Sequence, residues 1–107
     1  MSIDNYGMRN YRRFKTTLFV DHDTSAMQLE EFCNRLRLQV QLNPMMLHEQ
    51  AQIYVHDMNE KSLHILINVF IQTNQLSVEL QERQKFIIDI MKLASELKIK
   101  IAKPQHI

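Results

Sequence analysis

The 107-residue chain is 45% hydrophobic and 23% charged, a composition typical of one globular domain and unlike that of a disordered segment. Its 13 Lys and Arg residues nearly balance its 12 Asp and Glu residues, which argues against the strongly basic surface of a nucleic-acid-binding protein. The longest apolar stretch, residues 63–71, is far shorter than the ~18 residues of a membrane-spanning helix. The N-terminus lacks the apolar region of a secretory signal, so the chain by itself is predicted to be cytosolic.

Alternating apolar and polar side chains predict three longer strands. The first covers residues 12–20, the second residues 51–56 and the third residues 62–73. The polar residues 57–61 predict a hairpin turn between the second and third strands.

The first predicted helix follows a group of turn-forming residues. Thr24 or Ser25 is expected to cap it, and Gln28 stands at capping-box distance from Ser25. The helix is expected to run to about Asn43, where Pro44 ends it. Its apolar side chains, at the spacing of one buried helix face, are Leu29, Phe32, Cys33, Leu36 and Val40.

The second helix is predicted at residues 78–97 with Ser77 as its N-cap, and a short fourth strand follows at residues 98–102. This order of elements predicts an α+β fold of the ferredoxin-like split βαβ type (β-α-β-β-α-β), an antiparallel sheet with two helices on one face. The inward side chains predicted for the second helix are Leu80, Ile87, Ile90, Met91, Ala94 and Leu97.

The residue types that carry chemistry lack the spacing that catalysis or ligand binding requires. His48, His56 and His64 recur every eight residues, but strand histidines of this kind do not supply the three or four convergent ligands of a zinc site. Cys33 lies on the apolar face of the first helix and is expected to be a core residue. The only glycine, Gly7, lies outside any strand-to-helix turn, which excludes a glycine-rich phosphate loop. The sequence therefore predicts no catalytic residue, no cofactor and no metal.

The sequence contains more apolar surface than one core needs. Leu66 and Phe70 fall on the sheet face away from the helices, while Phe86, Ile88 and Leu93 widen the apolar surface of the second helix. Monomers rarely leave such patches exposed to water, so these five residues are expected to pack between subunits. The alternative is that loops of the same chain cover them.

Positive charge is concentrated near the N-terminus. Residues 1–16 contain Arg9, Arg12, Arg13 and Lys15 but a single acidic residue. Because the rest of the chain is slightly acidic, this local excess requires an explanation of its own.

The run of residues 5–18, NYGMRNYRRFKTTL, resembles a junction found in mechanosensitive channels of the small-conductance (MscS) family. At that junction the middle β domain of the channel meets the C-terminal cytosolic α/β domain. The resemblance covers nearly the whole chain. It continues in family order through residues 23–24 before the first helix, 54–57 before the hairpin, 62–66 in the third strand and 80–83 in the second helix.

The resemblance implies a non-enzymatic part of a membrane channel. Channels of this family form heptamers in the bacterial inner membrane and open under bilayer tension, releasing ions and small solutes on osmotic downshock. Their hollow cytosolic cage has portals between subunits, and this domain forms its lower wall, so the implied partners are other copies, the rest of the channel chain, and the permeating ions and solutes. The implied segments are the tail of the preceding β domain, the α/β domain and its C-terminal end, at residues 1–10, 11–103 and 104–107.

The resemblance also implies a role for the basic N-terminal run. Arg9, Arg12 and Arg13 are expected to set the electrostatic field near the portals, because rings of like charge bias ion traffic. The alternative is that these arginines fix the joint between domains through salt bridges or hydrogen bonds.

A second hypothesis from a different class is a stand-alone oligomeric ligand-binding regulatory module of the ACT type. Such modules usually place a glycine between the first strand and the first helix. Residues 21–25 contain none, which argues against this hypothesis.

Overall fold

The computed structural model describes residues 11–101. Three strands and two helices follow one another in the order that the sequence predicted, and a 3₁₀ turn that was not predicted precedes the second strand. They are β1 (Tyr11–Asp21), α1 (Ala26–Leu42), the 3₁₀ turn (His48–Gln50), β2 (Gln52–Met58), β3 (Ser62–Gln72) and α2 (Leu76–Glu96).

β3 is the central strand of the sheet. It pairs antiparallel with β1 on one side and with β2 on the other, in the order β1-β3-β2. Each inward residue of β3 therefore has covered neighbours on both sides. The five inward side chains predicted from its alternation are all buried: Leu63, Ile65, Ile67, Val69 and Ile71.

After α2 the chain returns to the second edge of β1. The backbone N–H of Asp21 donates to the carbonyl of Lys100 at 2.8 Å, and Val20 forms an antiparallel bridge with Ile101. This is the position of the fourth strand, which confirms the ferredoxin-like α+β fold. Within the described residues, however, the predicted fourth strand consists of this one bridge.

The end of α2 shows how the chain turns toward β1 without a glycine. Lys98 adopts a left-handed φ of 61°. The N–H of Lys98 bonds to the carbonyl of Ser95 at 3.1 Å, and the N–H of Ile99 bonds to that of Ala94 at 2.8 Å. These are the two hydrogen bonds of a Schellman cap, which usually has glycine at the left-handed position. The buried Ile99 side chain holds the turn against the core.

The beginning of α1 confirms the predicted capping box. The Ser25 hydroxyl accepts a hydrogen bond from the Gln28 N–H at 3.1 Å, and the Gln28 side-chain oxygen accepts one from the Ser25 N–H at 2.8 Å. Ser25 rather than Thr24 is therefore the cap. The Thr24 hydroxyl instead donates to the carbonyl of Asp21 at 2.7 Å and closes the turn after β1.

The beginning of α2 differs from the prediction. The helix starts at Leu76 with Gln75 at the cap position, so Ser77 is not the N-cap. The reason lies in the preceding turn, where the Thr73 hydroxyl accepts a hydrogen bond from the Gln75 N–H at 3.0 Å. That bond positions the Gln75 carbonyl to accept a hydrogen bond from the Glu79 N–H at 3.0 Å. The helix therefore begins two residues before the start that a Ser77 cap would give.

The core lies between the sheet and one face of each helix. On α1 it contains Phe32, Leu36 and Val40, each almost completely buried, together with Cys33. The apolar face predicted for α1 is therefore confirmed.

The buried face of α2 is rotated relative to the prediction. Ile90 and Ala94 are buried as expected, but Leu80, Ile87 and Met91 are exposed. The spacing of apolar residues in the sequence could not determine which face of α2 is buried, because apolar residues surround most of this helix.

The rotation also changes where three other apolar residues of α2 lie. Phe86 and Leu93, expected to widen its exposed apolar surface, are core residues with 3% exposure each, so that expectation is wrong for both. Ile88 is exposed as predicted. The contact with the sheet determines which face of α2 is buried, since Phe86 meets Phe14 of β1 edge to face at a centroid distance of 6.5 Å.

Candidate functional site

Arg12, one of the predicted portal or joint residues, lies at the start of β1 and reaches across to the beginning of α2. Its guanidinium donates to the backbone carbonyl of Asn74 at 3.3 Å and lies 3.8 Å from a carboxylate oxygen of Glu79. The side chain remains about half exposed. Arg12 therefore both connects two elements and presents positive charge to solvent.

Glu79 is the centre of this cluster. Its side chain is only 11% exposed, and its second carboxylate oxygen lies 3.6 Å from Arg83, one helical turn further along α2. A carboxylate at this depth is stabilised by paired cations and by the positive end of the helix dipole. Arg83 in turn stacks over the Phe14 ring at 4.6 Å. The cluster fixes the start of β1 to the start of α2.

Arg13 points to the face of the sheet that the helices do not cover, which is called the open face below. Its Nε donates to the side-chain oxygen of Asn68 on β3 at 3.1 Å, and the Asn68 amide donates to the Gln52 side chain on β2 at 3.0 Å. These bonds form a polar ladder across all three strands. Because Asn68 is buried on this face, each of its side-chain polar groups requires such a partner.

The predicted arginines are thus separated by the sheet, and their partners come from distant parts of the chain. Arg12 acts on the helix side and Arg13 on the open side, while Arg9 lies outside the described residues. The sequence analysis missed the partners Glu79 and Asn68. The i,i+4 spacing of Glu79 and Arg83 was the available signal for one of them.

The open face of the sheet contains two of the predicted subunit-contact residues. Leu66 on β3 lies opposite Thr17 of β1 and Tyr54 of β2, and Phe70 lies opposite Arg13. Both apolar side chains are half-buried, because their strand neighbours cover part of each. They form part of a mixed apolar and polar surface.

The sheet histidines take part in packing and hydrogen bonding. His64 meets Phe19 edge to face at 4.7 Å, and its Nε2 lies 3.3 Å from the Asn59 amide nitrogen. His56 lies with its ring 6.5 Å from that of His64. In residues 11–101, no group of three or more His, Cys, Asp or Glu residues is placed to hold a metal ion.

Cys33 lies beneath a shallow groove between α1 and the edge strand β2. Burial raises the pKa of its thiol, an effect only partly offset by the positive charge of Arg37 and a hydrogen bond with the backbone of Val55. The buried position confirms the predicted core role.

The Cys33 thiol is expected to react with a maleimide or disulfide reagent about two orders of magnitude more slowly in the folded chain than in denaturant. Burial limits access, and the raised pKa lowers the thiolate fraction at any given pH. Labelling followed by mass spectrometry at pH 8 measures both rates. A Met27→Cys, Cys33→Ala variant, with an exposed thiol on the same helix, should react rapidly in both conditions; equally rapid labelling of native Cys33 would contradict its burial.

Comparison with solved structures finds this fold in cryo-EM structures of MSL1 from Arabidopsis thaliana. A point-substituted MSL1 and MSL1 itself each cover 89% of this chain with a TM-score of 0.78 and 9% sequence identity. A structure of wild-type AtMSL1 covers 88% with a TM-score of 0.73 and 11% identity. The match takes in 33–36% of the MSL1 chains, so this chain spans about a third of their length.

No family model and no curated protein matches the sequence. In the described residues, neither helix combines the length and apolar character needed to cross a membrane. The described part of the chain, residues 11–101, shares its fold with a part of MSL1, which agrees with the resemblance of the sequence to the MscS family.

Proposed function

We propose that this chain is the cytosolic cage domain of an MscS-family mechanosensitive channel, which releases ions and small solutes on hypo-osmotic shock. The observation that supports this most strongly is the fold, shared with MSL1 over 89% of the chain. The resemblance at residues 5–18 and in four later segments adds support from the sequence. In this role the domain is non-enzymatic, acts as a heptamer and lies at the cytosolic face of the bacterial inner membrane.

The polar clusters of the domain fit a structural role. Glu79 is held by two arginines, and Asn68 by Arg13 and Gln52, so both sets of polar groups are satisfied within the chain. A catalytic site instead needs a nucleophile or base directed toward substrate. Cys33, the one thiol in the sequence, is buried.

The basic N-terminal run acts both at the joint between domains and in the field near the portals. Arg12 reaches Glu79, which favours the joint, yet half of its side chain faces solvent. Arg13 is exposed on the open sheet face. In a ring of identical subunits each such charge is repeated around the axis, and such rings bias the passage of anions and cations.

The accessible members of the predicted subunit-contact set are Leu66 and Phe70 on the open sheet face and Ile88 on α2. Phe86 and Leu93 are covered within their own chain. We therefore place contact between subunits at the first three residues only.

Patch-clamp recording of the channel chain that contains this domain tests the proposal. Stretch-activated current is expected, and Arg13→Glu is expected to shift the reversal potential toward cation preference, because it reverses a charge near the portal in every subunit. Arg12→Glu adds a second reversal but also places two carboxylates together at Glu79, whereas Arg13→Glu removes only the hydrogen bond to Asn68 and is the less disruptive variant.

Lys100→Glu is the matched control, since it makes the same charge change at the opposite end of β1. It is expected to leave the reversal potential close to that of the unchanged channel. The same ion preference in both variants would contradict a role of Arg13 near the portals. Absence of stretch-activated current in the unchanged chain would overturn the proposed function itself.

A further inference from the structure

β1 pairs with β3 along one edge, and its second edge, called the outer edge below, is mostly unpaired. In the part of the chain that the structure describes, the outer edge is paired only near its end, where the Asp21 N–H donates to the Lys100 carbonyl at 2.8 Å. A strand directs its N–H and C=O groups alternately to its two edges. Thr17, Lys15 and Arg13 therefore direct theirs to the outer edge, as Asp21 does.

The continuation of this chain is unsuited to the rest of the outer edge. Extended in the register of the antiparallel bridge between Val20 and Ile101, it would place Pro104 opposite Thr17. A strand needs an N–H directed at β1 in that position, because the Thr17 carbonyl points to the outer edge, and proline has no N–H. The outer edge from Arg13 to Thr17 is therefore available to another extended segment.

One flank of α2 is exposed and apolar. It contains Leu80, Ile87 and Met91, each between 41% and 58% exposed, and is called the apolar flank below. A helix turns about 100° per residue, which places these three side chains within an arc of about 40°. The charged side chain nearest to them around the helix is Arg83, which already pairs with Glu79 at 3.6 Å. The apolar flank therefore adds no unpaired charge to the surface beside it.

The apolar flank borders the outer edge of β1. The Glu82 carboxylate accepts a hydrogen bond from Asn43 at the end of α1 at 3.2 Å, so Glu82 marks the flank of α2 that faces α1. The apolar flank lies across the buried face of the helix from Glu82, on the side away from α1. Since Phe86 packs on Phe14, α2 lies over β1, and its far flank reaches the outer edge.

Two cations lie beside the outer edge on the open face. Arg13 and Lys15 occupy alternate positions of β1, and both are exposed. Neither makes an ion pair with any residue in the described range. The Arg13 Nε is held by the Asn68 side chain at 3.1 Å, which fixes the guanidinium on this face. A segment on the outer edge therefore meets apolar side chains on the helix side and positive charge on the open face.

We infer that the outer edge of β1 binds an extended acidic segment of another protein, which adds a strand to the sheet. Backbone hydrogen bonds supply the affinity of such a contact, and alternate side chains supply its specificity. Apolar side chains at every second position of the segment contact Leu80 and Ile87 on the helix side. The acidic side chains between them lie opposite Arg13 and Lys15, where opposite charges on neighbouring strands are favourable.

The same cations disfavour a second copy of β1 as the occupant. Pairing of two outer edges brings Arg13 and Lys15 of one copy beside those of the other, and like charges on neighbouring strands are destabilising. Charged side chains, lysine above all, protect edge strands from pairing with identical edges in this way. An acidic segment removes the repulsion, so the charge of the edge selects the partner.

Binding of a fluorescein-labelled peptide to the 107-residue chain tests this site. The probe is a peptide of alternating valine and glutamate, about eight residues long as strands commonly are, and a matched peptide has lysine in place of glutamate. Fluorescence anisotropy is expected to rise with the glutamate peptide and to stay at the free-peptide value with the lysine peptide. Lys15→Glu is expected to weaken binding of the glutamate peptide about tenfold, because an attraction becomes a repulsion.

Further variants locate the bound peptide. Thr17→Pro removes an N–H from the outer edge but none from the ladder with β3, so it is expected to abolish binding and to keep the circular dichroism spectrum. Leu80→Glu places a charge on the apolar flank and is expected to weaken binding severalfold. Leu38→Glu is the matched control, because Leu38 lies on α1 and is 50% exposed, as Leu80 is. It is expected to leave binding unchanged.

Other outcomes would overturn the inference. Equal binding of the two peptides, or binding of neither, would contradict an acidic occupant, and unchanged binding in Lys15→Glu and Leu80→Glu would place the peptide elsewhere. Slow amide exchange at Lys15 and Thr17 in the free chain would show that a segment of the same chain covers the edge. Exchange that slows with rising protein concentration would show a second copy there. Stretch-activated current does not depend on these results, so the proposed function is tested separately.

Discussion

The Phe32→Ala variant is expected to lose about 3–5 kcal/mol of unfolding free energy, the largest effect of any single substitution considered for this domain. Phe32 is fully buried at the centre of α1, facing the sheet. Its removal leaves a cavity that the surrounding strands cannot fill, so lost burial and cavity formation both add to the cost. Since small domains are stable by only about 5–15 kcal/mol, this substitution removes much of the margin.

Urea denaturation followed by circular dichroism measures the effect as a lower transition midpoint. Met27→Ala is the matched control, because Met27 is on the same helix but 81% exposed. Its unfolding free energy is expected to change by about 0.5 kcal/mol or less. Equal losses in the two variants would contradict the placement of α1 on the sheet.

The Glu79→Ala variant is expected to lose about 1–2 kcal/mol. The carboxylate is nearly buried and lies between Arg12 and Arg83, so its removal leaves two cations near each other without their shared partner. The loss is smaller than that for a fully buried ion pair because both arginines are partly exposed and regain water. The same variant should loosen the start of β1, detected as faster amide hydrogen exchange at Phe14.

Two comparisons separate the charge from other effects of this substitution. Glu79→Gln keeps the side-chain shape and one hydrogen-bonding oxygen, and is expected to lose less than Glu79→Ala. Glu60→Gln makes the same chemical change in the exposed hairpin turn and should be close to neutral. A loss as large for Glu60→Gln as for Glu79→Gln would show that the pairing with Arg12 and Arg83 adds no stability.

Local sequence signals determined the helices and strands of this fold. Every second residue of β3 is apolar, and successive side chains of a strand point to opposite faces of the sheet. This spacing therefore placed five apolar side chains of β3 on the core face. Ser25 and Gln28 set the start of α1, since the capping box depends only on residues within one turn. The order of elements then predicted the ferredoxin-like arrangement, because short connections and right-handed crossovers allow few topologies for this order.

The candidate site was only partly predictable. Arg12 and Arg13 stand out as charges in the sequence, but Glu79 and Asn68 are separated from them by more than fifty residues. No local pattern specifies such pairs, because they exist only after β1, β3 and α2 have packed. The sequence therefore identified the basic run but not the clusters that hold it.

The tertiary structure alone decided which face of α2 is buried. Apolar residues surround most of this helix, so several rotations would bury similar amounts of apolar surface. Packing against β1 selects one of them, because Phe86 then contacts Phe14 while Glu79 reaches Arg12. The sequence by itself determined the elements and their order through local spacing. The exposure of Leu80, Ile87 and Met91 on α2 and the pairing of the arginines follow instead from contacts between distant elements.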